Sequence, residues 1–366
     1  MSGPTHPRCL IIAEAGVNHN GSLDVAHQLV DAAADAGVDV VKFQTFRADK
    51  LASHSAAKAA YQHRQTDAGQ SQLDMLRALE LSESAHVELL QHCAERGVGF
   101  MSSPFDSESL NFLVSLGVRH IKLGSGELTN APMLLAVART DLPLILSTGM
   151  ATLAEVEAAL GVLAFGYGPA AAEPSRTAFL DAWAHASGRA RVIDRVTLLH
   201  CTTEYPAPRD QVNLRAMHTL RSAFGLQCGY SDHTEGYSVS LAAVALGASI
   251  IEKHFTLSRA LPGPDHKASI EPAALKALVE GVREVEAALG DGVKVPMPVE
   301  IPNRVVARKS LVAARAIAQD ERITADALTV KRPGSGLSPF DYWETLGTQA
   351  SKDFAPDDLI CRTDKT

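Results

Sequence analysis

The feature that most restricts this chain is an alternation that runs through most of its length. Eight short runs rich in β-branched and other apolar residues occur at 9–16, 39–46, 97–105, 119–127, 142–150, 195–206, 226–234 and 248–257. Between them lie alanine- and leucine-rich stretches with apolar residues at helical spacing, such as SLDVAHQLVDAAADAG and ESAHVELLQHCAERG. Several of these close on a glycine, at Gly37, Gly97, Gly117 and Gly247, which suits a helix C-cap. Strands that alternate with helices pair in parallel through helical crossovers, and eight such units predict a closed (β/α)8 TIM barrel. An open doubly wound sheet is the competing architecture, but the first strand lacks the G-x-G-x-x-G turn that would mark it.

Two stretches interrupt the repeat: a polar excursion at 47–82 and an insertion at 165–194. After residue 289 the character changes. Residues 290–305 carry three prolines in DGVKVPMPVEIPN and read as a linker. Residues 306–366 read as a small domain of short strands and turns, near the lower size limit for independent folding.

With 46% hydrophobic and 21% charged residues, the chain has the apolar matter for a large core. A net charge of −8 and the lack of a basic run argue against a nucleic-acid surface. No apolar stretch reaches the ~18 residues of a membrane span, and Glu14 breaks the only apolar run near the N-terminus, so no export signal is expected. The five scattered cysteines form no CxxC, which fits reduced thiols in the cytoplasm.

In a barrel of this kind, function collects where strands hand over to the following loops. Those ends carry Glu14 and the NHNG turn; Lys42 and Gln44; Ser102 and Ser103; Lys122, Ser125 and Glu127; Ser147 and Thr148; Thr202, Thr203 and Tyr205; Ser231, Asp232 and His233; and Glu252, Lys253 and His254. A single polar residue leaving a strand usually just meets water, but here all eight ends are polar. Lys42 and Lys122 sit within apolar runs, where an unpaired ammonium is costly. With Ser103, Ser125, Ser147 and Ser231 they make a cradle for a phosphate or carboxylate. His233 and His254 end adjacent strands, so two imidazoles can converge on one divalent metal. His19, His200 and His266 read as hydrogen-bonded structural residues. The turn TVKRPGSGLSP, with two glycines behind Arg332, matches no P-loop and precedes no long helix.

Taken in order, IIAEAGVNHNG, VKFQTF, KLGSGE, LSTGM, LLHCTTEYPAP, GYSDHT, EKHFTL, LPGPDHKAS and VKRPGSG resemble the sialic acid synthases over nearly the whole chain. That resemblance implies a barrel followed by a small C-terminal antifreeze-like domain (SAF, a β-clip fold). It implies condensation of phosphoenolpyruvate with an N-acetylated aminosugar, and a divalent metal, Mn2+ or Mg2+, on His233 and His254. It places Lys42, Ser103, Lys122, Ser125, Ser147, Thr203 and Ser231 on phosphoenolpyruvate, with Thr203 standing where some members have asparagine. It places Gln44, Glu127, Tyr205, Asp265 and Arg332 on the sugar. Glu14, Glu127, Lys42 and His254 carry the catalysis, with Glu127 managing proton traffic. It also implies a homodimer in which the small domain of one subunit covers the other subunit's barrel. N-acetylmannosamine is the expected sugar, giving N-acetylneuraminic acid; the alternative is a diacetamido sugar, giving legionaminic or pseudaminic acid. A purely ice-binding role is disfavoured, because the tail offers charged residues where such surfaces are flat and threonine-rich.

Overall fold

Leu10, Ile12 and Glu14 stand two apart on the first strand, so they share one face, and that face turns from apolar to acidic as the chain rises. The same change recurs along the strands and organises the molecule. The computed structural model describes residues 8–53, 56–58, 71–169 and 172–361. The chain divides into two compact units, Met1–Asp291 and Gly292–Thr366.

The first unit holds eight strands: β1 (Leu10–Gly16), β2 (Val40–Thr45), β3 (Gly99–Pro104), β4 (Ile121–Leu123), β5 (Leu144–Ser147), β6 (Val196–His200), β7 (Gln227–Asp232) and β8 (Ile250–His254). All the pairings are parallel, in the order β3-β2-β1-β8-β7-β6-β5-β4. β3 and β4 lie beside each other and complete the ring. The eight expected strands are therefore present, and the fold is the (β/α)8 TIM barrel.

The lower interior is an apolar layer of Ile12, Met101, Ile145, Leu199 and Ile250. One step up on the same strands stand Glu14, Ser103, Ser147, Cys201 and Glu252, with Lys42 above Val40 on β2. The outward faces pack Ile11, Val41, Phe43, Leu198, Tyr230 and Ile251 into the much larger core between strands and helices. This layering explains why polar side chains gather at one end only: the opposite end is plugged. The helices begin and end as the sequence reading expected. Ser22 caps Leu23–Ala36 through its hydroxyl, and Gly37, Gly97, Gly117 and Gly247 all adopt positive φ after helical segments.

Both interruptions have structure of their own. From the 47–82 excursion, the helix Gln72–Arg77 contributes Met75, which packs with Leu79, Val17 and Phe46 in a small apolar cluster beside the barrel mouth. Residues 54–55 and 59–70 of that excursion fall outside the described residues. The 165–194 insertion forms the helices Arg176–Ala184 and Ala186–Arg195.

The second unit pairs β9 (Ser310–Ala313) antiparallel with β10 (Leu328–Lys331), and further antiparallel bridges join Ile317 to Phe354 and Val312 to Leu359. Leu311, Ile317, Ile323, Leu328, Phe354 and Ile360 make its own core. The segment read as a linker is not without helix: Ile301–Ala307 is helical, with Pro302 in the first turn, where a missing N–H costs nothing. This helix bears on the RPGSG turn. Gly334 donates its N–H to the Val305 carbonyl, and a Cβ there would come within 2.8 Å of the Arg304 carbonyl oxygen. The Ser310 hydroxyl closes the turn from the other side, donating to the Pro333 carbonyl and accepting from the Gly336 N–H. Arg332 stands exposed on a backbone fastened at three points.

Among the described residues, no helix is long and apolar enough to cross a membrane. The five cysteines are free, four of them buried and Cys361 exposed.

Candidate active site

The barrel mouth holds a cavity of about 250 Å3. Its walls include Glu14, Lys42, Gln44, Ser103, Lys122, Ser125, Ser147, Thr203, Tyr205, Ser231, His233, His254 and Asp265, all singled out from the sequence. Glu252 and Cys201 join them, and Met75, Leu76, Leu79 and Phe105 supply an apolar side.

At its centre two ammonium groups and two carboxylates are interleaved. Lys42 Nζ lies 2.5 Å from Glu14 Oε2 and 3.6 Å from Glu252 Oε2. Lys122 Nζ lies 3.5 Å from Glu252 Oε1 and donates to Ser147 Oγ at 2.9 Å. Lys42 also reaches Ser103 Oγ at 3.3 Å, and Ser231 donates its hydroxyl to Glu252 Oε1 at 2.8 Å. All four charged groups are buried.

Burial pulls the Lys42 ammonium down, but Glu14 and Glu252 more than offset it, so its pKa is raised. For Lys122 burial wins and the pKa is lowered, with Glu252 as the chief opposing charge. Burial likewise raises Glu14, against the pull of Lys42. Glu252 lies between both lysines, which outweigh its burial and hold it at about 2.

Glu252 is the main site residue that the sequence reading passed over. It was noted at a strand end but given no role. The available signal was its spacing: two residues before His254, it must share the inward face. Cys201, which the sequence offers only as one of five scattered thiols, is a second such residue. It borders the cavity, with its Sγ 3.1 Å from Ser125 Oγ, and burial raises its thiol.

On the neighbouring side the two imidazoles converge. The His233 and His254 rings lie 5.5 Å apart, and the Tyr205 ring packs 4.2 Å from His233 and 5.4 Å from His254. His233 Nδ1 lies 2.7 Å from the Thr202 carbonyl, which can only accept, so Nδ1 carries the proton. Ser231 lies 3.2 Å from His233 Nε2, but its proton goes to the nearer carboxylate of Glu252, which leaves the Nε2 lone pair uncommitted. Burial lowers His233 to about 4, and burial with the charges of His233 and Lys42 lowers His254 well below its ordinary value, so both rings are neutral near pH 7. His254 Nδ1 is buried without a hydrogen bond.

Neutral imidazoles with open nitrogens are the donor set of a divalent transition metal. Among the described residues no cluster of three or more protein ligands surrounds such an ion. Two imidazoles would thus leave its other positions to water and substrate oxygens. Asp265 lies 3.9 Å from His254 Nδ1, and burial together with the Glu14 charge raises it to about 7.

Two predicted residues lie elsewhere. Glu127 ends a 3-10 turn, Ser125–Glu127, and accepts from Asn130 Nδ2 at 2.6 Å. Ser125 and Gly126 line the cavity, but Glu127 is not among its lining residues; burial raises its carboxyl. Arg332 belongs to the second unit.

The comparisons identify the family to which this barrel, with its C-terminal β-domain, belongs. The NeuB family model matches residues 29–294, and the SAF domain model matches 308–361. An N,N'-diacetyllegionaminic acid synthase of Campylobacter jejuni is 48% identical, over 96% of this chain and 99% of its own. A synthase of the same name from Legionella pneumophila is 44% identical, over 94% of this chain and 90% of its own. A crystal structure of N-acetylneuraminic acid synthetase from Leptospira borgpetersenii, with citrate, superposes with a TM-score of 0.67 at 31% identity, covering 81% of this chain and 90% of that one. The chain belongs to the NeuB family, the enzymes that make sialic and legionaminic acids.

Proposed function

We propose that this enzyme condenses phosphoenolpyruvate with the open-chain form of a diacetamido sugar and water, giving N,N'-diacetyllegionaminic acid and phosphate. The observation that carries the reaction type is the pair of buried lysines with Ser103, Ser147 and Ser231 around one cavity, beside two neutral imidazoles. The choice of sugar is supported by the relatives, 48% and 44% identical to two legionaminic acid synthases. The motif wording alone favoured N-acetylmannosamine, and the 31% identity to the Leptospira synthetase keeps that sugar as the second reading.

The reaction joins C3 of phosphoenolpyruvate to the aldehyde carbon, and the aldehyde oxygen takes up a proton. Water adds to the cation left at C2, and the tetrahedral product loses phosphate by C–O cleavage. Lys42 and Lys122 hold the phosphate and carboxylate oxygens and balance the charge as phosphate departs, with the three serines and Ser125 fixing their direction. Thr203 closes the same side. A divalent metal held by His233 and His254, Mn2+ or Mg2+, would supply Lewis-acid polarisation of the aldehyde oxygen. Gln44, Tyr205 and Asp265 orient the sugar. Glu14 accepts from Gln44 Nε2 at 3.3 Å and pairs with Lys42, so it links the two substrate sides. Glu127, its carboxyl raised by burial, is assigned to proton transfer at the sugar oxygens.

We assign Arg332 to a neighbouring subunit's sugar, within a homodimer. The support is its exposure on a turn fastened at three points, together with exposed apolar side chains in the same unit, Val299, Val306, Phe340 and Trp343.

Phosphate release from phosphoenolpyruvate, measured over a panel of N-acetyl and diacetamido six-carbon sugars with and without EDTA, tests this reading. The expected result is fastest release with a 2,4-diacetamido sugar, abolished by EDTA and restored by Mn2+. Faster release with N-acetylmannosamine would favour the second reading, and no release with any of them would sink both.

A further inference from the structure

NHNG after β1 has no part in the chemistry above, and LPGPDHKAS after β8 enters it only through Asp265. The structure ties them together. Asn20 donates Nδ2 to the Pro262 carbonyl at 2.9 Å, and its Oδ1 lies 3.2 Å from His266 Nε2. The opposite nitrogen of His266, Nδ1, lies 2.7 Å from Thr256 Oγ1. Deeper in, Asn18 donates Nδ2 to the Phe255 carbonyl at 2.8 Å and to Ser269 Oγ at 2.9 Å, and Ser269 donates on to the Asp265 carbonyl at 2.7 Å. Asn18, Thr256, His266 and Ser269 are all buried.

The β8 loop is closed at its base by backbone bonds from Thr256 to Ile270 and from Ile270 to His254. Between those bonds the β1 turn holds the loop at Pro262, His266 and Ser269, on either side of Asp265. The fit is close. Gly263 has φ +144, and a Cβ there would stand 2.7 Å from His266 Cδ2 and 2.8 Å from Asn20 Oδ1. Asn20 itself sits at φ +51, a conformation asparagine tolerates.

We propose that Asn18, Asn20 and His266 are positioning residues for the sugar, acting through Asp265. The β1 turn clamps the loop so that the Asp265 carboxyl faces the cavity beside His254. A polar side chain that must meet a substrate needs its backbone fixed to a fraction of an ångström, and loops that lack such ties lose that precision. The two asparagines reach the loop from the β1 turn, through His266 and Ser269, and add to the ties the loop makes within itself, such as Ser269 to the Asp265 carbonyl and Arg259 to the Lys267 carbonyl. This rests on Asp265 touching the sugar, as assigned above.

The test uses Asn20→Gly, which removes the amide while accepting the positive φ, and Gly263→Ala, which forces the loop off the His266–Asn20 pair. Each is assayed in the full-length enzyme for KM of both substrates and for kcat, beside Asp265→Ala and the double variant Asn20→Gly/Asp265→Ala. The expected result is a sugar KM raised about tenfold in either single variant, with the phosphoenolpyruvate KM within about twofold of wild type. In the double variant the loss should be no greater than in Asp265→Ala alone, because both changes act through one carboxyl. An unchanged sugar KM in Asn20→Gly and Gly263→Ala, with a raised one in Asp265→Ala, would overturn the proposal. So would equal losses for both substrates, which is the mark of general destabilisation. An unchanged sugar KM in Asp265→Ala would instead refute the assignment of Asp265. Should Asn20→Gly not fold, Gly263→Ala carries the same comparison, with His266→Gln as its replacement partner.

Discussion

Lys122 is the residue whose ionisation is most exposed to its surroundings. It is buried, and its charged neighbours are Glu252, Lys42, Glu14 and, if ionised, Cys201. Burial and Lys42 lower its pKa; Glu252 is the main group holding it up. The ammonium form binds anions, so kcat/KM for phosphoenolpyruvate falls as pH rises through that pKa. Glu252→Gln removes the supporting charge and should move this alkaline limb to lower pH. A limb that stays put in the pH profile would mean that Lys122 does not carry the anion. Lys122→Ala should cost about a hundredfold in kcat/KM for phosphoenolpyruvate. Glu127→Gln should lower kcat by about a hundredfold while leaving phosphoenolpyruvate binding, read by calorimetry, within twofold; near-normal turnover would remove Glu127 from the mechanism. Its place on a 3-10 turn, just off the cavity wall, makes this the assignment most in need of the measurement.

At the scale of elements, β7 and β8 carry site residues on one face and a hidden ion pair on the other. Asp232 and Lys253 are fully buried, 3.2 Å apart, between Ser231 and His233 on one strand end and Glu252 and His254 on the other. Asp232 also accepts from the Thr234 backbone and hydroxyl and from Ser240, so its lone pairs are well used. Breaking such a pair by removing one partner strands a buried charge. Lys253→Met should therefore destabilise the protein by about 3–5 kcal/mol, read as a fall in the urea midpoint with an unchanged slope. Period two made the strands legible in the sequence: Lys42 and Gln44, or Glu252 and His254, announce one face by spacing alone. It did not announce which acid mattered, because Glu252 acquires its role only when Lys42 and Lys122 arrive from other strands. The clamp on Asp265 was illegible for the same reason, since Asn20 and His266 are 246 positions apart. The helix Ile301–Ala307 is hidden by Pro302 and the two prolines before it, a residue type that stops helices in the middle but starts them well.

At the scale of the whole molecule, the repeat of eight strands predicts the barrel without any motif, and the compact units divide after Asp291. How two chains assemble was not in the alternation at all; only the resemblance supplied it. The proposed homodimer has a simple measurement. Arg332→Ala and Lys122→Ala are each assayed alone and then mixed after reversible dissociation. Random reassociation makes half the dimers mixed, each with one intact barrel opposite one intact turn, so activity should return to roughly a quarter of wild type. No recovery would mean that each chain completes its own site.

The interleaved lysines and carboxylates at the barrel mouth have a consequence for the end of the catalytic cycle. The two ammonium groups and two carboxylates sum to no net charge among themselves. When phosphate leaves, Lys42 and Lys122 fall back on Glu14 and Glu252 and need no ion from solution.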